Sequence, residues 1–209
     1  MKTQDNKEFW NKTAKVYKKS TYGRKKEQQA YDKMTKKICE YINRDMNVLE
    51  LACGPGMISF TIARQCRHLE ATDFSENMIK EAKHKNTSRR VYFSVQDATK
   101  LPYASNTFDA VVMANALHIM PNPELALENI RKVLKEDGFF ICPTFTREKR
   151  KFVWKEKLME LIGFKTYSRW DTAEFLDFIA ENGFQIIDSC KIVGHNFPIT
   201  FVAAKQKKH

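Results

Sequence analysis

Three acidic residues stand where three successive strands are expected to end. Glu50 precedes a Gly54-Pro55-Gly56 turn, Asp73 closes "HLEATD", and Asp97 follows "VYFSVQ". Glycine lets a backbone approach a ligand closely, and sheets of this kind bind ligands at the carboxyl ends of their strands. The turn alone says only that a nucleotide is held. The pattern of a dinucleotide site is incomplete, because Ser59 stands at the third glycine position. Two details turn the site away from a pyrophosphate. The Glu50 carboxylate repels phosphate and attracts an ammonium. Pro55 removes one of the backbone N–H groups from which a phosphate cradle is made. A ligand with a cationic amino-acid moiety therefore fits better. Asp73, 17 residues past Gly56, suits ribose hydroxyls, a device that dinucleotide sites share. Asp97 can accept from an adenine amino group while the backbone N–H that follows reaches a ring nitrogen.

Residues so placed require alternating strands and helices. "NVLELA" (47–52), "HLEATD" (68–73), "VYFSVQ" (91–96), "FDAVVMAN" (108–115) and "FFICPTF" (139–145) read as strands. Helices are expected from the turn to Cys66, over 75–85 and over 123–136. In the last of these, Ala126, Leu127, Ile130, Val133 and Leu134 share a face, Asn122 and Pro123 suit the start, and Gly138 suits the exit. A helix over 171–183 begins with Asp171 and Glu174 at capping-box spacing and stops at Gly183. The strands 184–193 and 199–205 are joined by too few residues for a helical crossover, so they pair antiparallel. The expected architecture is α/β: a Rossmann-like three-layer sandwich around a seven-stranded, mostly parallel sheet in the order 3-2-1-4-5-7-6, six strands parallel and one reversed. Amphipathic helices are expected over 24–42, with Tyr31, Met34, Ile38, Tyr41 and Ile42 apolar, and over 147–163, with Trp154, Leu158, Leu161 and Ile162 aligned. One domain is expected: an N-terminal helical cap or lid (1–45), a cofactor-binding core (46–145), an acceptor-side insertion (146–170), and a C-terminal helix with a β-hairpin (171–209).

Composition narrows the class. The chain has 209 residues, enough for one sizeable core. The five cysteines are scattered with no CxxC pair, so no metal site is expected. No apolar run approaches a membrane span, and the start lacks the apolar middle of a secretory signal, so the default compartment is the cytoplasm. The net charge of +11 is concentrated at the ends, +7 over residues 1–45 and +3 in "KQKKH". Such ends could attract an anionic partner or stay solvated.

"VLELACGPG", "ATDFSENMI", "QDATKLPYASNTFDAVVMANALHIMP" and "ENIRKVLKEDGFF" together resemble the class I S-adenosylmethionine-dependent methyltransferases. The resemblance lies nearest to the type 11 small-molecule group that includes ubiquinone/menaquinone biosynthesis. It implies S-adenosylmethionine as cofactor. Glu50, Leu51, Ala52 and the Gly54–Gly56 backbone would hold the methionine end, and Asp73 the ribose. Phe74 and Met78 would lie near the adenine, which Asp97 and Ala98 would read. Asn115 and Ala116 would lie beside the sulfonium. Glu50 replaces the family's usual Asp and Ala52 its first glycine, both expected to be sterically mild. In the family the N-terminal region often folds over the cofactor, which places Tyr17 and Tyr22 on the pocket.

Methyl transfer is an in-line displacement from a sulfonium, driven largely by positioning and exclusion of water. A base is needed only if the acceptor carries a proton, and His118 in "NALHIMP" is the candidate. The insertion offers Trp154, Phe164, Tyr167, Arg169 and Trp170 to a small-molecule acceptor with an aromatic or anionic character. An RNA or protein methyltransferase is an alternative that the charge favours, but "NALH" stands where nucleic-acid enzymes carry "DPPY"-like or "NPPY"-like motifs, and no stable nucleic-acid complex is expected. A non-catalytic cofactor-binding protein is the other alternative.

Overall fold

A computed structural model describes residues 7–15, 17, 25–86, 88–147, 165–193 and 198–208. The expected helix over 147–163, together with Tyr22, Trp154, Phe164 and the loop between the last two strands, lies outside them or almost so. The strands are β1 (Asn47–Leu51), β2 (His68–Asp73), β3 (Val91–Val95), β4 (Phe108–Met113), β5 (Leu134–Ile141), β6 (Thr144–Phe145), β7 (Phe184–Ile192) and β8 (Ile199–Gln206). The helices are α1 (residues 7–15), α2 (Lys25–Cys39), α3 (Ser59–Gln65), α4 (Glu76–Lys85), α5 (Pro123–Val133) and α6 (Thr172–Glu181).

The sheet runs β3-β2-β1-β4-β5-β8, with β7 outside β8. The first five strands are mutually parallel, and β8 is antiparallel to both β5 and β7. This is the expected order with one strand divided. "FFICPTF" breaks at Cys142-Pro143, because proline offers no N–H to a ladder. The short β6 that follows pairs with β8 through Thr144 and Phe145.

Period-two alternation separates two cores. Val48, Ala71, Phe93, Ala110 and Val112 face α2, α3 and α4, where Met34, Ile38, Ile62 and Ile79 are buried. Leu49, Leu51, Val111, Met113 and Phe140 face α5 and α6, with Leu127, Ile130, Phe175 and Ile179. Each such side chain contributes roughly 1.5–3 kcal/mol on burial. Helix α2 belongs to this packing, as a helix of the sandwich; among the described residues, α1 and Tyr17 lie over the strand ends.

Local signals hold at the starts of α4 and α6. Asp171 accepts from the Glu174 N–H at 3.0 Å, and Glu174 accepts from the Asp171 N–H at 2.8 Å, completing the capping box of α6. Ser75 caps α4 by accepting from the Met78 N–H. Helix α5 ends earlier than its apolar face suggests. The Asn106 and Thr107 N–H groups donate to the Lys132 and Val133 carbonyls, and Leu134 already pairs with Phe108 on β4. Gly138 is therefore not a helix exit. A Cβ there would stand 2.7 Å from Leu134 Cδ1 and 2.9 Å from the Lys135 carbonyl oxygen, so glycine permits the bulge by which β5 joins β4.

Candidate functional site

The carboxyl ends of β1 to β4 open onto one cleft of about 980 Å³, its open mouth included. Its floor is the turn after β1, where Ala52, Gly54 and Gly56 have φ of +53°, +56° and +77°. Ala52 is thus not a mild replacement for glycine: a non-glycine residue in the left-handed region costs roughly 1–2 kcal/mol. The turn is tied to β2 by the Cys53 N–H, which donates to the Thr72 carbonyl. Gly54 faces the cleft, since a Cβ there would meet only Tyr17 Cε1 at 4.0 Å. Gly56 faces away from it; its Cβ would press on Phe60 and Phe93 at 3.3 Å. Leu51 is 1% exposed within the α5/α6-side core and does not line the cleft.

Asp73 lies on the cleft, accepting from the Gly54 N–H on Oδ2 and the Ser75 N–H on Oδ1, both at 2.8 Å. Burial pushes its carboxyl up to about 6, against the pull of those bonds. Asp97 accepts from both the N–H and the hydroxyl of Thr99, and both bonds fall on Oδ1. Phe74, Met78, Ala98, Asn115 and Ala116 also line the cleft.

A side cavity of about 370 Å³, its open mouth included, continues from the floor between the β1 turn and α2. Glu50 opens onto it, 1% exposed, with Oε2 making no hydrogen bond. Burial pushes this carboxyl up to about 8; the Ser59 hydroxyl opposes the rise and the Asp73 carboxylate adds to it. Asn115, with φ +55°, lines the same cavity. Its N–H donates to the Pro143 carbonyl at 2.7 Å and its side-chain amide to Met34 Sδ at 3.6 Å, while Oδ1 is buried without a partner. Two orphaned buried acceptors in one small cavity fit an ammonium, the group carried by the methionine end of S-adenosylmethionine.

Over the cleft lies α1. Trp10 and Tyr17 line it, packed edge to face with centroids 5.6 Å apart. Asn11 grips the start of α4: its Oδ1 accepts from the Ser75 hydroxyl at 2.6 Å and the Asn77 N–H at 3.2 Å, and its carbonyl accepts from the Asn77 side chain at 3.0 Å. Asn11 and Lys7 both donate to Glu76, and the Lys7 ammonium stands 4.8 Å from the Phe74 ring centroid. Trp10 was missed as a lining residue, although its seven-residue spacing from Tyr17, two helical turns, is a readable signal. Nothing in the sequence marks Asn11.

His118 stands elsewhere. It is 7% exposed, its Nδ1 bonded to the Thr144 hydroxyl at 2.9 Å, and burial lowers it to about 4. Its carbonyl accepts from the Tyr167 and Ser168 N–H groups. Among the described residues it does not line the cleft, and a base so weak is poorly suited to remove a proton. Its geometry is that of a histidine pinning the 165–170 segment to β6. Trp170 packs on Phe178 with centroids 4.6 Å apart, and neither Tyr167 nor Arg169 lines the cleft.

Residues 49–142 match a family model described as a methyltransferase domain. The ubiquinone/menaquinone biosynthesis C-methyltransferase UbiE of Rickettsia akari is 32% identical over 120 residues, covering 53% of this chain and 48% of that protein. That of Desulfotalea psychrophila is 37% identical over 97 residues, covering 46% and 39%. The chain thus spans about half the length of the curated relatives it matches, or less. Among solved structures, a complex of DhpI with SAH superposes with a TM-score of 0.79 at 18% identity, covering 99% of this chain and 97% of that one. The [4+2]-cyclase SpnF gives 0.74 at 21%, covering 90% and 85%. At these identities the likeness establishes the fold.

Proposed function

We propose that this chain, whose residues 49–142 match the methyltransferase-domain family and whose fold is shared with an SAH complex, is a class I S-adenosylmethionine-dependent methyltransferase that transfers a methyl group to a small acceptor with an apolar or aromatic body. The observation that carries the reading is the convergence of Gly54, Asp73, Asp97 and Asn115, from four strand ends, on one cleft. S-adenosylmethionine, when bound, supplies an electrophilic methyl group on a sulfonium.

The chain's own residues do the rest by holding and enclosing. Glu50 and Asn115 fit the ammonium of the methionine end, Asp73 the ribose hydroxyls, and Asp97 with Ala98 the adenine edge. Phe74 and Met78 offer apolar surface beside the base. Beyond Asn115 and Ala116 the wall is Ile119, Met120 and Pro121, with Trp10 opposite in the cover. Such a wall favours an acceptor that buries apolar surface and excludes water from the transfer. It sits poorly with an RNA or a protein chain as acceptor.

The test is incubation with S-adenosylmethionine and a panel of phenols, quinols, thiols and carboxylic acids, reading S-adenosylhomocysteine and one added methyl mass. Turnover on an apolar small molecule supports the reading. A solved structure of the same fold is named a cyclase, so tight cofactor binding with no methylation across the panel would turn the assignment to a cofactor-binding protein with other chemistry.

A further inference from the structure

Glu50 is a buried carboxyl with no cation beside it among the described residues. Tyr31 faces the side cavity from α2, Tyr17 from the end of the cover, and Cys53 from the turn; Asp73 lies nearby at the end of β2, and Cys66 at the end of α3. None of these is a base that could pair with a carboxylate, and burial pushes the Cys53 thiol well above its ordinary value. An ionised carboxylate left alone at 1% exposure is costly, and a group in that position takes a proton instead. Across the same cavity Asn115 holds Oδ1 ready, buried and unpartnered. An ammonium has donors for both oxygens, and its charge reverses the preference of the acid.

We propose that Glu50 is uncharged in the empty protein and gives its proton to solvent when the cofactor's ammonium settles between it and Asn115, so that cofactor loading is linked to pH. The proposal rests on the cofactor reading above. The sign follows from the direction of the shift. Burial holds the empty-site acid up to about 8, and the bound ammonium lowers it. Affinity therefore rises with pH up to about 8, above which the ligand's own ammonium starts to lose its proton and the gain ends.

Titration calorimetry with S-adenosylhomocysteine, repeated at pH 7 in buffers of different ionisation enthalpy, counts the protons. About one proton released per ligand is expected, vanishing well above pH 8. 5′-Methylthioadenosine, which lacks the ammonium, should release none. Glu50→Gln should bind S-adenosylhomocysteine more weakly and release none. Asn115→Ala should weaken S-adenosylhomocysteine about ten-fold while leaving 5′-methylthioadenosine unchanged and the proton count intact. Binding of S-adenosylhomocysteine to the wild type without proton release, or equal release with 5′-methylthioadenosine, overturns the linkage and leaves the cofactor reading standing. Wild-type affinity in a folded Asn115→Ala removes Asn115 from the pair. Absence of any S-adenosylhomocysteine binding to the wild type overturns the cofactor reading itself, and the linkage with it.

Discussion

The floor and the cover of the cleft are built by opposite means. The floor is the end of a buried sheet: Glu50, Asp73 and Asn115 project from strands whose neighbours are closed off from water, and the Gly54 N–H is fixed by a carboxylate. The cover is one helix that, among the described residues, Asn11 and Lys7 tie through polar bonds to the start of α4. Such surface bonds are individually weak, so the floor should set what binds and the cover how long it stays.

Asp73→Ala tests the floor most severely. It orphans the Gly54 and Ser75 N–H groups and should weaken S-adenosylhomocysteine about a hundred-fold, measured by calorimetry. The floor also predicts how stability depends on pH. A carboxyl raised by burial binds its proton more tightly when folded, so its contribution is lost as pH rises from its ordinary value to the raised one. For Asp73 that loss ends near pH 6, and for Glu50 near pH 8. His118, lowered to about 4, acts in reverse between there and its unfolded value near 6.5. Between pH 6.5 and 8 Glu50 dominates these three, so the empty protein's melting temperature should fall across that interval and stay level in Glu50→Gln. Gly54→Ala places a methyl group in the cleft and in the left-handed region. It should lower stability by about 1 kcal/mol in urea and affinity about ten-fold, the larger loss being the functional one.

Asn11→Ala should raise the ligand's dissociation rate several-fold in stopped-flow while leaving the urea midpoint almost unmoved. If it cost as much affinity as Asp73→Ala, the division between floor and cover would fail. The smallest effect is expected from Ala52→Gly, which relieves the positive φ and should gain up to about 1 kcal/mol in the same urea titration.

Much of the floor was readable because strand ends and turns announce themselves locally. The alternation of apolar residues gave the layers, and Asp73, Asp97 and Gly54 lie on the cleft where the spacing put them. Gly138 misled because its reason is close backbone contact, with Lys135 of its own strand and Asp109 of β4, and not its place after a helix. His118 misled likewise: a histidine after β4 looks available until Thr144, 26 residues on, is brought within 2.9 Å of it. The place of α2 was hard to read because α2 and α1 are both basic, and only the burial of Met34 and Ile38 in one core with α3 and the sheet sets α2 in the sandwich. Leu51 and Gly56 belong to the right motif, yet the alternation of β1 and the curl of the turn direct them into the protein.

Trp10 has a consequence of another kind. An indole at the rim of the cleft, edge-on to Tyr17, meets surroundings of a different polarity when the space beneath it fills. The chain has three tryptophans; with Trp154 and Trp170 replaced by phenylalanine, its tryptophan emission would come from the cover alone. The protein then carries its own optical gauge of occupancy, able to follow loading and release in real time without a label.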